Sequence, residues 1–254
     1  MNQMHSADPP RICLLIPIYN NKDTIATVVD EVLDFGLPII VVNDGSDEAT
    51  RVALERMDGR RPEVTVHHLP KNGGKGFAVK QGLRLANERG FTHALQIDAD
   101  GQHCSADIPR FLEACRECPE ALILGKPIFG DDVPKARLHG RKLSQAFVWL
   151  ETLSLDIADP LFGFRVYPVA SSMALLDSFS MIGNRMDFDP EIAVKLYWRG
   201  VPIRNLASVV SYPEGGLSSF RMVADNIRIT LMHTRLTLGM LPRVPLLLWR
   251  RLQR

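Results

Sequence analysis

The feature that most constrains the fold is a regular alternation of short apolar runs with amphipathic segments over residues 11–125. Runs such as residues 38–42 are typical of buried strands, whereas segments such as residues 75–89 carry apolar side chains at helical spacing. This alternation predicts an α/β fold with a mainly parallel central sheet and helices on both faces. The predicted strands are 11–17, 38–42, 64–69, 93–97 and 121–124, and the helices between them are 23–35, 47–57, 75–89 and 108–115.

Beyond residue 125 the pattern is less regular. An apolar and basic stretch over residues 218–241 predicts a long helix that ends before Pro242 and Pro245, because proline interrupts helical hydrogen bonding. The other predicted elements are helices at 135–153 and 190–199 and strands at 162–167 and 209–212.

Size and composition restrict the class of protein. The 254 residues are 46% apolar and 23% charged, a range that excludes disordered, collagen-like and coiled-coil chains. No run of about 18 apolar residues is present, so we expect no membrane-spanning helix, and residues 1–11 do not resemble a signal peptide. The four cysteines lack zinc-ligand spacing and favour a reducing compartment. We divide the chain into a flexible N-terminus (1–10), one α/β domain (11–215) and a C-terminal tail (216–254).

Charge is distributed unevenly along the chain. Residues 217–254 hold seven arginines and one acidic residue, which gives +6, whereas the whole chain carries only +1. Arg221, Arg228 and Arg235 recur every seven residues and therefore form one stripe on a helix. The adjacent apolar stripe consists of Phe220, Ile227, Leu231, Leu238 and Leu241. This pattern predicts a basic amphipathic helix, which lies on a membrane surface or packs on the domain with its arginines exposed. An aromatic content of 7% argues against nucleic acid as a partner.

Polar and glycine-rich segments follow four of the predicted strands. Because the carboxyl ends of parallel strands meet at one edge of a sheet, where open α/β sheets bind ligands, we expect these segments to form one site. The four segments are residues 17–21, 43–47, 71–76 and 98–102.

Asp98 and Asp100 are the most informative pair at this edge. On an extended chain, residues i and i+2 point to the same side, and two carboxylates there repel each other unless a cation lies between them. Carboxylate oxygens suit Mg²⁺ or Mn²⁺, and such an ion stabilises a departing diphosphate as a Lewis acid. The alternative interpretation is an acidic turn formed with Gly101.

Two other features of the edge also have two interpretations. Residues 73–76, Gly-Gly-Lys-Gly, are suited to cradle a phosphate or to form a plain turn, and they lack the spacing of a Walker or Rossmann loop. Asp44 follows the second strand, where an aspartate often contacts a ribose or a base, and where it can also begin a helix.

The four segments together resemble the ordered motif set of the family 2 glycosyltransferases, which have the GT-A fold of nucleotide-diphosphosugar transferases. The sequence is most similar to the branch with dolichol-phosphate mannose synthase and bacterial polyprenyl-phosphate enzymes. The resemblance covers residues 11–125, and a weaker match at residues 159–165 extends it to about residue 215. The motifs are Pro-Ile-Tyr-Asn (17–20), Val-Asn-Asp-Gly-Ser-Asp (42–47), Asn-Gly-Gly-Lys-Gly (72–76) and Asp-Ala-Asp-Gly-Gln (98–102).

The resemblance implies a role for each matching position. The implied nucleotide-sugar-binding residues are Pro17, Asn20, Asp44, Lys75 and Asp98. The implied ligands for Mg²⁺ or Mn²⁺ are Asp98, Asp100 and Gln102. The donor would be a UDP- or GDP-linked sugar, although Asn21 stands where many family members carry Glu, so the base stays open.

The resemblance also implies an inverting, in-line attack of an acceptor on the sugar. A hydroxyl acceptor would need a carboxylate base; the candidates are Asp159, Asp189 and Glu191. A lipid-linked phosphate such as polyprenyl phosphate is already ionised and would instead be held by cations; the candidates are Arg137, Arg141, Arg165 and Arg221. We expect such an enzyme to be cytoplasmic and to lie on the inner face of the membrane through its tail.

Two other classes of protein remain as alternatives. One is a non-catalytic, membrane-associated binding module with the same fold, against which the paired carboxylates and Lys75 argue. The other is a sugar nucleotidyltransferase, which would need a glycine-rich nucleotide loop directly after the first strand, where this chain has residues 18–21, Ile-Tyr-Asn-Asn.

Overall fold

The structure is a computed structural model, and it describes the chain in five stretches. These are residues 9–58, 60–130, 135–178, 181–210 and 221–253. The flexible N-terminus predicted for residues 1–10 lies almost wholly outside them.

A seven-stranded sheet forms the centre of the described part. Its strands are β1 (Ile12–Ile18), β2 (Ile39–Asn43), β3 (Val64–His68), β4 (His93–Gln96), β5 (Leu122–Ile128), β6 (Arg165–Pro168) and β7 (Ile203–Val209). They lie in the order β3-β2-β1-β4-β6-β5-β7. Only β6 runs antiparallel to its neighbours, β4 and β5, so the prediction of a mainly parallel sheet is confirmed.

Helices cover both faces of the sheet, as the sequence predicts. They are α1 (Ile25–Leu33), α2 (Glu48–Asp58), α3 (Lys75–Glu88), α4 (Ile108–Glu117), α5 (Lys135–Thr152), α6 (Val169–Leu176), α7 (Phe188–Trp198), α8 (Met222–Met240) and α9 (Val244–Leu252). One core contains buried residues of α1, α2 and α4, such as Val29, Leu54 and Phe111. The other contains buried residues of α3, α5, α7 and α8, such as Leu83 and Leu236.

The last strand begins earlier than predicted, at Ile203. A strand was expected at residues 209–212, but β7 ends at Val209 and pairs only with β5, while residues 211 and 212 lie outside the described part. As an edge strand with one neighbour, β7 needs no continuous apolar run. Its polar residues, such as Arg204 and Asn205, therefore concealed it from an analysis based on apolar runs.

The C-terminal tail folds as two helices. α8 ends at Met240, close to the predicted end, and a 3-10 turn at Leu241–Arg243 leads into α9, which the sequence did not predict. Pro245 lies at the start of α9, where a missing backbone N–H costs nothing. Within the described residues, no helix is long and apolar enough to cross a bilayer.

α8 packs against the domain through one face. Met232, Leu236 and Met240 are buried in the core that α8 shares with α5 and α7. The buried His233 ring lies 2.7 Å from Ser144 Oγ and 2.8 Å from Glu151 Oε1, both on α5. A buried hydrogen-bonded chain thus fixes α8 against α5.

Several arginines of the tail also contact the chain itself. Arg228 pairs with Asp225 at 3.0 Å, and Arg235 with Glu191 at 3.2 Å. Arg243 lies over the Trp198 ring, 4.7 Å from its centroid, and Arg250 donates to the Trp198 carbonyl at 3.0 Å. The outward face of α8 is instead apolar, because Ile227, Leu231 and Leu238 are 55–62% exposed. Tail and domain are therefore held together partly by the residues expected to remain free.

Candidate active site

The ends of β1 and β2 meet at the carboxyl edge of the sheet. Pro17 pairs with Val42, and Asn20 follows with a φ of +56°. The Asn20 side-chain oxygen accepts the Asp47 backbone N–H at 2.8 Å, and Ser46 Oγ accepts the Asn20 N–H at 3.0 Å. The two predicted nucleoside-pocket loops are therefore joined by direct hydrogen bonds.

Asp44 holds the glycine-rich loop. Its two carboxylate oxygens accept the backbone N–H groups of Gly73 and Gly74, each at 2.7 Å. Burial raises the pKa of Asp44, while these two N–H groups and the charge of Arg185 act in the opposite direction. Since both amides already bind Asp44, the loop is not the open phosphate cradle that its glycines suggested.

Residues 181–187, which we call the strap, lie across this loop. The Asn184 carbonyl accepts the Phe77 N–H at 2.8 Å, and Arg185 Nη1 donates to Asn72 Oδ1 at 3.1 Å. A Cβ placed on Gly74, whose φ is +100°, would lie 2.4 Å from Arg185 Cγ. Glycine is required here both by the backbone angle and by the close approach of the strap.

Lys75 joins two parts of the chain that are distant in sequence. Its Nζ lies 2.8 Å from Asp98 Oδ2 and 3.0 Å from Asp189 Oδ2, at the start of α7. Gly163 leaves the space for this contact, because a Cβ there would lie 2.5 Å from Asp98 Oδ2 and 2.7 Å from the lysine nitrogen. Asp189 thus belongs to the site through Lys75, as well as through its place near the acceptor motif.

The Asp98–Asp100 pair lies just beyond β4. Burial opposes ionisation of Asp98, but Lys75 and His103 overcome this and lower its pKa to about 2. Burial, and then the charge of Asp98, raises the pKa of Asp100. Gln102 donates its backbone N–H to Asp100 Oδ1 at 3.1 Å. Asp98 is therefore ionised, and its negative charge disfavours the charged form of Asp100. A cation bound between the two carboxylates would relieve this repulsion.

The other acceptor-site candidates are distributed differently. Arg141 binds Asp159 through Nε at 2.6 Å and Nη2 at 2.9 Å, and Asp159 also accepts two backbone N–H groups. Arg165 has no exposed surface and donates to three backbone carbonyls, which corrects its assignment as a phosphate ligand. Glu191 is also fully buried, facing Lys195 and Arg235 rather than the cleft, which corrects its assignment as a base.

Two candidates remain less defined. Arg221 is exposed, and its backbone N–H donates to Asp225 at the start of α8. The side chain of Arg137 lies outside the described residues.

Three residues of the site were missed by sequence reasoning. His103 accepts the Asp98 backbone N–H at 3.0 Å and stacks on Phe164, and its position directly after Gln102 was a usable signal. Gly163 lies within the weaker match at residues 159–165, which assigned it no role, and the role of Arg185 depends on contacts with residues far away in sequence.

An open α/β sheet with paired carboxylates at its carboxyl edge is the arrangement expected of a transferase of the GT-A class, and solved enzymes of that class share the fold. A profile described as "Glycosyl transferase family 2" matches residues 13–176, well over half of the chain. The chain belongs to this family and is a glycosyltransferase.

Similar proteins support the same assignment. The chain is 27% identical to an undecaprenyl-phosphate mannosyltransferase of Micrococcus luteus over 70% of this chain and 75% of that one. It is 28% identical to a polyprenol monophosphomannose synthase of Mycolicibacterium smegmatis, over 86% and 83%. The fold is shared with glucosyl-3-phosphoglycerate synthase of Mycobacterium tuberculosis, solved with Mn²⁺, UDP-glucose and phosphoglyceric acid. The TM-score is 0.64 at 16% identity, covering 92% of this chain and 79% of that one.

Proposed function

We propose that this glycosyltransferase moves a sugar from a nucleoside diphosphate to a lipid-linked acceptor, most simply a polyprenyl phosphate. The observation that carries the proposal is the cluster of Asp98, Asp100, Lys75 and Asp189 at the carboxyl edge. The named acceptors of the M. luteus and M. smegmatis relatives support the choice of a polyprenyl phosphate. As the family resemblance implies, the transfer would take place by one in-line displacement that inverts the configuration at the anomeric carbon.

The residues present fit a divalent cation. Asp98 and Asp100 offer hard oxygen ligands to Mg²⁺ or Mn²⁺, and the charge of Asp98 disfavours the charged form of Asp100 unless a cation is present. Gln102 is a further candidate ligand. Mg²⁺ is commonly held by one or two carboxylates together with substrate phosphates, so two carboxylates are enough for this proposal. Such an ion would supply Lewis-acid stabilisation of the leaving diphosphate.

The protein's own residues would do the positioning. Lys75 binds both Asp98 and Asp189 and so fixes their side chains relative to each other. Gly163 lies against this ion pair and has no side chain that would displace it. Arg141, fixed by Asp159, and the exposed Arg221 are the cations we assign to an acceptor phosphate. A phosphate acceptor is already ionised, so no base is required.

A second candidate is transfer to a hydroxyl acceptor. Asp189 supports it, because its carboxylate belongs to the site, with Oδ2 at 3.0 Å from Lys75 Nζ and Oδ1 at 3.8 Å from Arg165 Nη1. A carboxylate in the site is the kind of group that takes a proton from an attacking hydroxyl. In this alternative Asp189 is the base, and Asp159, occupied by Arg141 and two N–H groups, is a positioning residue.

We also propose that the enzyme is cytoplasmic and lies on the inner face of the membrane through α8 and α9. The exposed apolar face of α8 and the exposed Trp249 of α9 support this location. A lipid-linked acceptor would then meet the enzyme at the surface on which it lies.

The proposal is tested by transfer of labelled sugar from UDP- and GDP-linked donors to polyprenyl phosphate or a glycolipid hydroxyl. We expect activity that EDTA abolishes and Mg²⁺ or Mn²⁺ restores. Asp100→Ala should lower kcat/KM about 10²–10³-fold, as loss of one electrostatic group at a reacting centre does. The matched control is Asp34→Ala, an exposed aspartate after α1. Wild-type turnover in Asp100→Ala would contradict the mechanism, and transfer only to hydroxyls would select the second candidate.

A further inference from the structure

The strap brings a cation to the donor edge of the sheet that no motif predicted. Arg185 is half-buried, and its Nη1 uses one of five guanidinium N–H donors on Asn72 Oδ1 at 3.1 Å. Its stem passes so close to Gly74 that a Cβ there would meet Arg185 Cγ at 2.4 Å. Asn72 therefore fixes the guanidinium, and the close approach of Gly74 fixes the stem of the side chain.

Arg185 lies at one particular end of the edge. Gly74 donates its N–H to Asp44, so Arg185, Gly74 and Asp44 form one cluster, and the charge of Arg185 acts on Asp44. Asp98 and Asp100 lie instead beside Lys75, whose charge acts on both of them. The edge therefore has two parts. At one part Lys75 lies beside the carboxylate pair Asp98 and Asp100, and at the other Arg185 lies beside Asp44.

We propose that Arg185 binds the nucleoside portion of the donor, whereas Lys75 lies at the diphosphate portion. This inference rests on the proposed function, since it needs a nucleoside diphosphate donor. A nucleoside offers carbonyl oxygens, ring nitrogens and ribose hydroxyls as acceptors, together with a flat face on which a guanidinium stacks. Asp44 is buried and holds the loop beside Arg185 through Gly73 and Gly74, so the guanidinium is the polar group that this end of the edge offers to a nucleoside.

The strap also explains why the position is suited to binding. Asp187 accepts the Arg185 backbone N–H at 3.0 Å, and Glu191 accepts the Gly183 N–H at 2.7 Å. Lys80 donates to the carbonyls of Ile182 and Gly183 at 2.9 and 3.1 Å. A segment fixed at this many points presents a side chain with little loss of conformational entropy on binding.

The test is a titration series on the full chain with Mn²⁺ present. Isothermal titration calorimetry first identifies which of UDP, GDP, CDP and dTDP the wild type binds. The matching nucleoside and monophosphate are then measured, the nucleoside by competition against the diphosphate. Arg185→Gln should weaken all three forms by the same factor, about 10-fold or more, with an unchanged melting temperature. Arg185→Lys should recover only part of the affinity, because lysine restores the charge but lacks the planar fork.

The control is Arg116→Gln, an exposed arginine near the end of α4, which should leave every affinity unchanged. Wild-type affinity in Arg185→Gln would overturn the inference and leave the proposed function standing. A loss confined to the diphosphate would also overturn it, by placing Arg185 on the phosphates. A wild type that binds none of the four nucleotides would overturn the proposed function itself, and this inference with it.

Discussion

Gly163 shows how one residue without a side chain determines the geometry of the site. It lies opposite Lys75 and Asp98, and a methyl group there would come within 2.5–2.8 Å of their charged atoms. Normal carbon–oxygen contacts are longer, so an added methyl must push Lys75 away from Asp98 or move the chain around residue 163. Either movement misaligns the carboxylate pair that the proposed mechanism needs.

Gly163→Ala should therefore lower kcat/KM about 10²-fold, the cost expected when a reacting group is displaced by about 1 Å. The measurement is steady-state sugar transfer, with circular dichroism to show that the fold is kept. Gly140→Ala is the matched control, because a Cβ at Gly140 meets nothing within 4 Å. Equal activity of the two variants would show that the Lys75–Asp98 contact is dispensable.

Among single residues, the sequence identified candidate site residues that are neighbours along the chain. Asp98 and Asp100 share one turn after a strand, so a spacing argument identified them as candidates, and the family resemblance added Gln102. The Lys75–Asp189 contact joins positions 114 residues apart, and nothing in local spacing indicates which of several acids reaches the lysine. Arg165 was misassigned for the same reason, since its burial depends on how the second half packs.

Among the elements, α7 connects the site both to the strap and to the C-terminal helix. Its first turn carries Asp189, which binds Lys75, and its buried Glu191 accepts the N–H of Gly183 in the strap. Glu191 also pairs with Lys195 at 2.9 Å and with Arg235 of α8 at 3.2 Å. One buried carboxylate thus connects the strap, α7 and the C-terminal helix.

Glu191→Gln should loosen these connections together. The amide leaves Lys195 and Arg235 without their anionic partner, which would cost 3–5 kcal/mol for a fully buried pair. We expect about 2–3 kcal/mol, since the Arg235 side chain is 40% exposed and partly solvated. That loss lowers the melting temperature by roughly 4–12 °C in a chain of this size.

Calorimetry measures the loss, and hydrogen exchange locates it, with protection expected to fall first in α8 and the strap. Glu113→Gln on α4 is the control, because that glutamate is exposed and should tolerate the change. If α8 keeps its protection in Glu191→Gln, the helix is held by its apolar face and by the buried His233 hydrogen bonds to α5.

The elements themselves were predictable where apolar periodicity was strong. The first five strands and four helices lie where the alternation placed them, because buried strands of a parallel sheet are continuous apolar runs. β7 was misplaced because an edge strand tolerates polar residues, and the antiparallel direction of β6 depends on long-range pairing that no local pattern encodes. The helix α6 was missed as a short segment without a strong apolar stripe, and α9 was missed because Pro242 and Pro245 were interpreted as the end of the helical region.

The whole molecule has an asymmetric surface. The carboxyl edge is polar, whereas the outward faces of α8 and α9 expose large apolar side chains, among them Leu231, Leu238 and Trp249. Exposed apolar groups in a continuous run indicate a surface that contacts lipid or protein. The basic charge that the sequence suggested for membrane contact is partly neutralised, because Arg228 and Arg235 pair with acidic residues.

This arrangement makes a specific prediction about how the enzyme would bind membranes. If the apolar face carries most of the binding, association with phosphatidylglycerol–phosphatidylcholine vesicles should survive 0.5 M NaCl, where exposed charges separated by more than about 4–5 Å are screened. Leu231→Ser with Leu238→Ser should weaken vesicle binding about 10-fold or more, since each leucine contributes roughly 0.8 kcal/mol per CH₂ group transferred. Co-sedimentation over a lipid titration measures both effects.

The matched control is Leu155→Ser, because Leu155 is 70% exposed but lies outside the tail. If salt abolishes binding and the double variant binds normally, the exposed arginines Arg221 and Arg251 carry the association instead of the leucines. If vesicles do not bind the wild type at all, the apolar face of α8 contacts protein rather than lipid, and the acceptor must reach the enzyme by another route. Binding that persists in salt and depends on Leu231 and Leu238 would place the site beside the bilayer, where a polyprenyl phosphate is held.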